Sequence, residues 1–129
     1  MPVGLARDAG WEIGVSRTLH QPPQAVWEFI TGPEGVALWL GAEGPLPAEK
    51  GAPYRTADGT EGEIRSYRPG GRIRLTYGPS TVQVTVTPGS SEGRAVLRFH
   101  QERLASAAER EERRTHWKGV MDRVAAGLG

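Results

Sequence analysis

An α+β fold is predicted for this chain from three features. An alternating apolar run lies near the N-terminus, closely spaced turn signals divide the middle into short β-rich segments, and a long stretch free of Gly and Pro follows Ser106. Together they predict a strand, two short helices, a meander of about five strands and a long terminal helix. A sheet that is apolar on one face must bury that face, and the C-terminal helix is the only element long enough to cover it.

The first strand is W-E-I-G-V-S-R-T-L, residues 11–19, in which Trp11, Ile13, Val15, Arg17 and Leu19 share one face. Alternation over this length reads as a half-buried strand. Gln21-Pro22-Pro23 ends it, and Pro23 suits a first helical position because its missing N–H would be unpaired there. The helix runs to about Ile30, with Val26, Trp27, Phe29 and Ile30 as its apolar side. Gly32-Pro33 cannot continue it, and Thr31 with Glu34 has the spacing of a capping box for a second helix. Trp27 and Trp39 therefore lie on different helices. Trp27 reads as a core anchor, whereas Trp39, beside the Gly41–Pro53 loop, is the stronger candidate for touching a ligand.

Beyond Tyr54, Asp58-Gly59, Pro69-Gly70-Gly71, Gly78-Pro79-Ser80 and Pro88-Gly89 separate E-G-E-I-R-S-Y-R, R-I-R-L-T-Y, T-V-Q-V-T-V-T and R-A-V-L-R-F-H. Short β-rich runs joined by tight turns argue for an antiparallel meander. Ile73, Leu75 and Tyr77 share one face of their strand, as do Val82, Val84 and Val86 of theirs, opposite Arg, Thr and Gln. Ser106 and Glu109 fit a capping box, and Trp117, Val120, Met121, Val124 and Leu128 form a helical stripe. The preceding E-R-E-E-R-R run reads as a solvated face, with Glu109 and Arg113 spaced for an i,i+4 pair.

With 129 residues the chain has room for one domain, residues 1–129, able to bury its own core. It has no cysteine, which excludes disulfide frameworks, Cys-ligated zinc and thiol nucleophiles. Sixteen Lys and Arg against fifteen Asp and Glu leave a formal charge of +1, too little for a nucleic-acid footprint. The N-terminal M-P-V-G-L-A-R-D lacks an apolar core of signal-peptide length, and no run is long enough to span a membrane, so a cytoplasmic location is expected. His20, His100 and His116 show no metal-ligand spacing, and there is no G-x-S-x-G, phosphate loop or dinucleotide fingerprint. No cofactor, metal or catalytic residue is assigned.

The segment V-W-E-F-I-T-G-P-E-G-V-A-L-W-L-G resembles the signature of the activator-of-heat-shock-protein-ATPase-like family, in the START and polyketide-cyclase (SRPBCC) helix-grip superfamily. G-E-I-R-S-Y-R-P-G-G-R-I-R-L-T-Y, T-V-Q-V-T-V-T-P, F-H-Q-E-R-L and T-H-W-K-G-V-M-D-R-V extend the resemblance, in the expected order, over nearly the whole chain. It implies a curved antiparallel sheet of about six strands around the long C-terminal helix, enclosing a cavity for an apolar or amphipathic small molecule. It does not imply one activity.

Within that cavity the expected lining is Trp39, Tyr54, Tyr67, Tyr77, Leu97, Phe99, Trp117 and Met121, with Arg17 or a histidine, His100 or His116, as the polar contact. Arg17 is the one charge on an apolar strand face. It either extends to the rim or pairs inside, with Glu61 or Glu63 as candidate partners. Strict alternation turns His100 outward, and a bulge would turn it inward. A small hydrophobic or amphipathic ligand is the expected partner. A cyclase or hydrolase acting on a polyketide-like substrate and a co-chaperone-like interaction module are the rivals; a homodimer stays open.

Overall fold

The computed structural model describes residues 5–6 and 10–129. Apart from Leu5 and Ala6, the N-terminal eight residues read above for signal-peptide character lie outside them. The elements run β1 (Leu5–Ala6), β2 (Gly10–Leu19), α1 (Pro23–Thr31), α2 (Pro33–Trp39), β3 (Pro53–Arg55), β4 (Glu61–Arg68), β5 (Arg72–Tyr77), β6 (Ser80–Pro88), β7 (Ala95–Leu104) and α3 (Ala107–Leu128). The seven strands form one antiparallel sheet in the order β1-β2-β7-β6-β5-β4-β3. Its concave face wraps α3, so the chain has the α+β helix-grip fold, with β1 and the short β3 extending the edges of the expected meander.

The inward register follows the alternation. Ile73, Leu75, Val82, Val84, Val86, Ala95, Leu97 and Phe99 are all buried. From α3, Trp117, Val120, Met121 and Val124 meet them, and Val26, Trp27 and Ile30 of α1 close one end. A bulge in β7 places Glu102 and Arg103 opposite Glu12, with Arg103 at φ 63°, and returns Leu104 to the core. Because this bulge falls after His100, it leaves that residue in the outward register.

The join between the short helices is built differently from a capping box. Gly32 is the N-cap of α2, without a side-chain cap, and Thr31 Oγ1 instead donates to the Trp27 carbonyl at 2.8 Å. The second helix packs so closely on the first that a Cβ on Gly35 would stand 2.0 Å from the Phe29 carbonyl oxygen. The Gly32-Pro33 break frees the Ile30 carbonyl from the α1 ladder, and Trp39 Nε1 donates to it at 2.7 Å in a buried contact. Burying an indole requires such a partner. The capping box at α3 does form, with Glu109 N–H donating to Ser106 Oγ and Ala105 N–H to Glu109 Oε1.

Candidate functional site

Polar groups converge where the β5–β6 turn meets α3. The turn residues Gly78 and Pro79 carry the chain from Tyr77 to Ser80, whose hydroxyl donates back to the Tyr77 carbonyl at 2.8 Å. Gln101, only 2% exposed, donates from Nε2 to Ser80 Oγ at 2.8 Å. Its Oε1 accepts from Arg113 Nε at 2.7 Å and from Trp117 Nε1 at 3.0 Å. One amide thus ties β7, the β5–β6 turn and two successive turns of α3 together. Arg113 consequently turns inward rather than pairing with Glu109, whose carboxylate is used at the helix cap.

The Arg113 guanidinium lies 5.6 Å from both the Tyr77 and the Trp117 ring centroids, within cation–π range. Burial pushes its pKa below the ordinary arginine value, and Tyr77, Glu109 and Glu112 act in the opposite direction. One turn on, His116 meets Trp117 edge-on, with centroids 5.0 Å apart. Burial, reinforced by Arg113 and Arg123, lowers its pKa from 6.5 to about 4, so it is a neutral imidazole at pH 7. Such a group exchanges hydrogen bonds but is a weak general base.

Two clefts meet at Tyr77. The larger, about 490 Å³, is lined by Thr60, Glu61, Tyr77, the Gly78-Pro79-Ser80 turn, Gln101, Glu109, Glu112 and Arg113. The smaller, about 240 Å³, is bounded by residues 37–41, Thr56, Ala57, Asp58, Tyr77 and His116. Hydrogen bonds from Thr56 and Thr60 hold the Asp58 carboxyl below the usual carboxylate range.

The residues expected to line one internal cavity separate into distinct groups. Tyr77 and Trp39 border the clefts, although Trp39 is only 2% exposed. Leu97, Phe99, Trp117 and Met121 are packed core and line neither cleft. Phe99 and Trp117 stack with centroids 4.8 Å apart, and Trp39 tilts onto Phe99 at 6.1 Å, so aromatic rings fill the space between sheet and helix. Tyr67 packs edge-on against Trp27 at 5.6 Å, away from Tyr77 at the other end of β5. Tyr54 donates to the Thr76 carbonyl over Gly62, and burial raises its pKa well above the ordinary phenol value.

Of the polar contacts, His116 borders the smaller cleft, whereas Arg17 and His100 lie elsewhere. Arg17 sits at the rim and pairs with Asp122 of α3 rather than with Glu61 or Glu63. His100 is on the convex face, with Nε2 3.7 Å from Glu12 Oε1, and cannot reach either cleft. Sequence reasoning missed Gln101 and Arg113. The available signal was a glutamine in inward register two residues after Phe99, a position an amide occupies only if its hydrogen bonds are met. Among the described residues there is no cluster of three or more His, Asp or Glu side chains able to hold a metal, and no helix is long and apolar enough to cross a membrane.

The family model described as activator of Hsp90 ATPase homolog 1-like protein matches residues 20–129. The chain belongs to this family. Among solved structures, a Chromobacterium violaceum protein is 25% identical, with a TM-score of 0.71 and coverage of 91% of this chain and 96% of that one. DynU16, from the dynemicin biosynthetic locus, is also 25% identical with a TM-score of 0.74; the match covers 91% of this chain but 46% of DynU16. CalU16 from Micromonospora echinospora, at 17% identity, shares the fold with a TM-score of 0.76, over 92% of this chain and 76% of its own. No curated protein matches the chain in sequence. Family membership makes this a ligand-binding fold.

Proposed function

We propose that this protein, as one domain over residues 1–129, binds a small amphipathic molecule across Tyr77. The observation that supports this reading is the meeting of two unlike clefts at one tyrosine, one bearing Arg113, Glu112 and Gln101 and the other walled mainly by the apolar residues 37–40. Their volumes, about 490 and 240 Å³, are in the range of small-molecule sites. A ligand's apolar body would lie against Leu38, Trp39 and Leu40, and its polar end would meet the guanidinium that Gln101 holds in place. Tyr77 would contact both parts.

With the rings of Trp39, Phe99 and Trp117 packed between sheet and helix, the ligand would sit at the edge of the helix grip instead of deep inside it. Similarity to DynU16, a protein of a biosynthetic locus, makes biosynthetic intermediates and products the first ligands to try. The Ser80 hydroxyl beside Tyr77 is engaged with the Tyr77 carbonyl and Gln101, and His116 is a weak base, so binding accounts for the site more economically than hydrolysis.

Native mass spectrometry of protein purified from its own host tests the proposal, with extraction and identification of any bound molecule. Wild type is expected to carry an added mass that Tyr77→Ala loses while remaining folded. A clean apo mass for wild type, together with no rise in melting temperature across an amphipathic compound library, overturns it.

A further inference from the structure

The Gly78-Pro79-Ser80 turn separates the Tyr77 cleft from a third cleft of opposite character on the convex face of the sheet. This third cleft, about 310 Å³, is lined by Arg65, Arg74, Thr76, Thr81 and Arg103 together with the turn. Three guanidiniums and two threonines border it and no carboxylate does, whereas Glu61, Glu109 and Glu112 border the Tyr77 cleft. We propose that this convex cleft is an anion site that reads a phosphoryl group on a small molecule.

Arg74 is half-buried and held by its neighbours, whereas Arg65 and Arg103 are exposed at the border of the cleft. Arg74 is bonded to Glu102 and lies 3.4 Å from Gln83 Oε1, and Arg65 is held 2.8 Å from Glu63. Neither carboxylate lines the cleft, and each pairs with one guanidinium at its border, leaving Arg103 to add positive charge. The β7 bulge brings Arg103 to the cleft in a left-handed backbone conformation, φ 63°, that non-glycine residues seldom adopt. Planar guanidinium forks match the geometry of phosphate oxygens, and the Thr76 and Thr81 hydroxyls add neutral donors. A cleft of this size holds a phosphoryl group with a modest substituent, and it is independent of the ligand proposed at Tyr77.

The test is NMR titration of the full chain at fixed ionic strength, following the amides of Thr76, Gly78, Ser80 and Thr81. Inorganic phosphate, phenyl phosphate and dihexanoyl phosphatidic acid below its micellar concentration form separate arms. They distinguish a free phosphate, a phosphomonoester and a lipid headgroup as the source, and saturable binding in any arm supports the site. Arg103→Gly removes the side chain while suiting the backbone, so it keeps the fold and is expected to weaken binding at least tenfold; Arg65→Ala is expected to do the same. Arg68→Ala, outside the cleft, is expected to change nothing. The proposal is overturned by non-saturating shifts in all arms, or by equal affinity for wild type, Arg103→Gly and Arg65→Ala.

Discussion

Replacing Gln101 with leucine tests whether the buried amide organises the Tyr77 site. Leucine fills most of the volume but removes the acceptor shared by Arg113 Nε and Trp117 Nε1 and the donor to Ser80 Oγ. The Trp117 N–H, on a side chain only 2% exposed, would be left without a partner, at a cost of about 1–3 kcal/mol. Arg113 is partly accessible and can recover water, so its lost bond adds roughly 1 kcal/mol. Ser80 keeps its bond to the Tyr77 carbonyl. The expected loss is about 3 kcal/mol, or roughly 10 °C in melting temperature for a chain of this length.

Urea denaturation reads this as a lowered midpoint at unchanged m-value. A second effect distinguishes the amide from ordinary core packing. Freed from Gln101, the guanidinium is expected to leave Tyr77, so the binding proposed at the Tyr77 cleft should weaken beyond what the stability loss alone explains. A destabilisation below about 0.5 kcal/mol, the usual size for an uninvolved surface change, refutes the argument that Gln101 is the keystone of this network.

Further outcomes follow from the same contacts. Trp39→Phe keeps an aromatic ring but removes the indole N–H, leaving the Ile30 carbonyl unpaired, and is expected to cost about 2 kcal/mol in urea unfolding. Gly35→Ala drives a methyl to 2.0 Å from the Phe29 carbonyl, a backbone atom unable to yield, so loss of cooperative unfolding in thermal melts is expected. His116 has a folded-state pKa of about 4 against 6.5 ordinarily, so the unfolded chain takes up its proton first. Its contribution is therefore complete above pH 6.5 and is lost as pH falls toward 4. The urea midpoint of wild type should drop through that window more than that of His116→Gln, and parallel profiles would contradict this. Arg17→Ala removes only an exposed pair with Asp122, and a change under about 0.5 kcal/mol is expected by the same assay.

Much of the architecture is written in local chemistry. Pro23 at a helix start, the Gly32-Pro33 break, the Ser106–Glu109 cap and the alternation of β5 and β6 each act over a few residues, and each strand and helix forms where they place it. The same locality explains the misreadings. Thr31 and Glu34 have capping-box spacing, yet the close approach of α2 onto α1 through Gly35 makes Gly32 the cap and turns Thr31 back to Trp27. Arg113 reads as part of a solvated face because the E-R-E-E-R-R run around it is almost entirely charged. Its actual partner, Gln101, is on a strand and appears only when helix and sheet are docked.

By itself the sequence determined the order of elements, the faces that β2, β5, β6 and β7 turn inward, the separation of Trp27 from Trp39 and the family, because backbone propensity and apolar periodicity are local and repeat along the chain. Only the tertiary structure decided that Phe99, Trp117 and Trp39 fill the grip, that Arg17 and His100 lie outside it, and that Tyr77 joins two clefts beside Arg113 and His116. Those outcomes depend on how far α3 enters the curved sheet and on hydrogen bonds between groups distant in sequence, and neither quantity is encoded in the pattern of any single element.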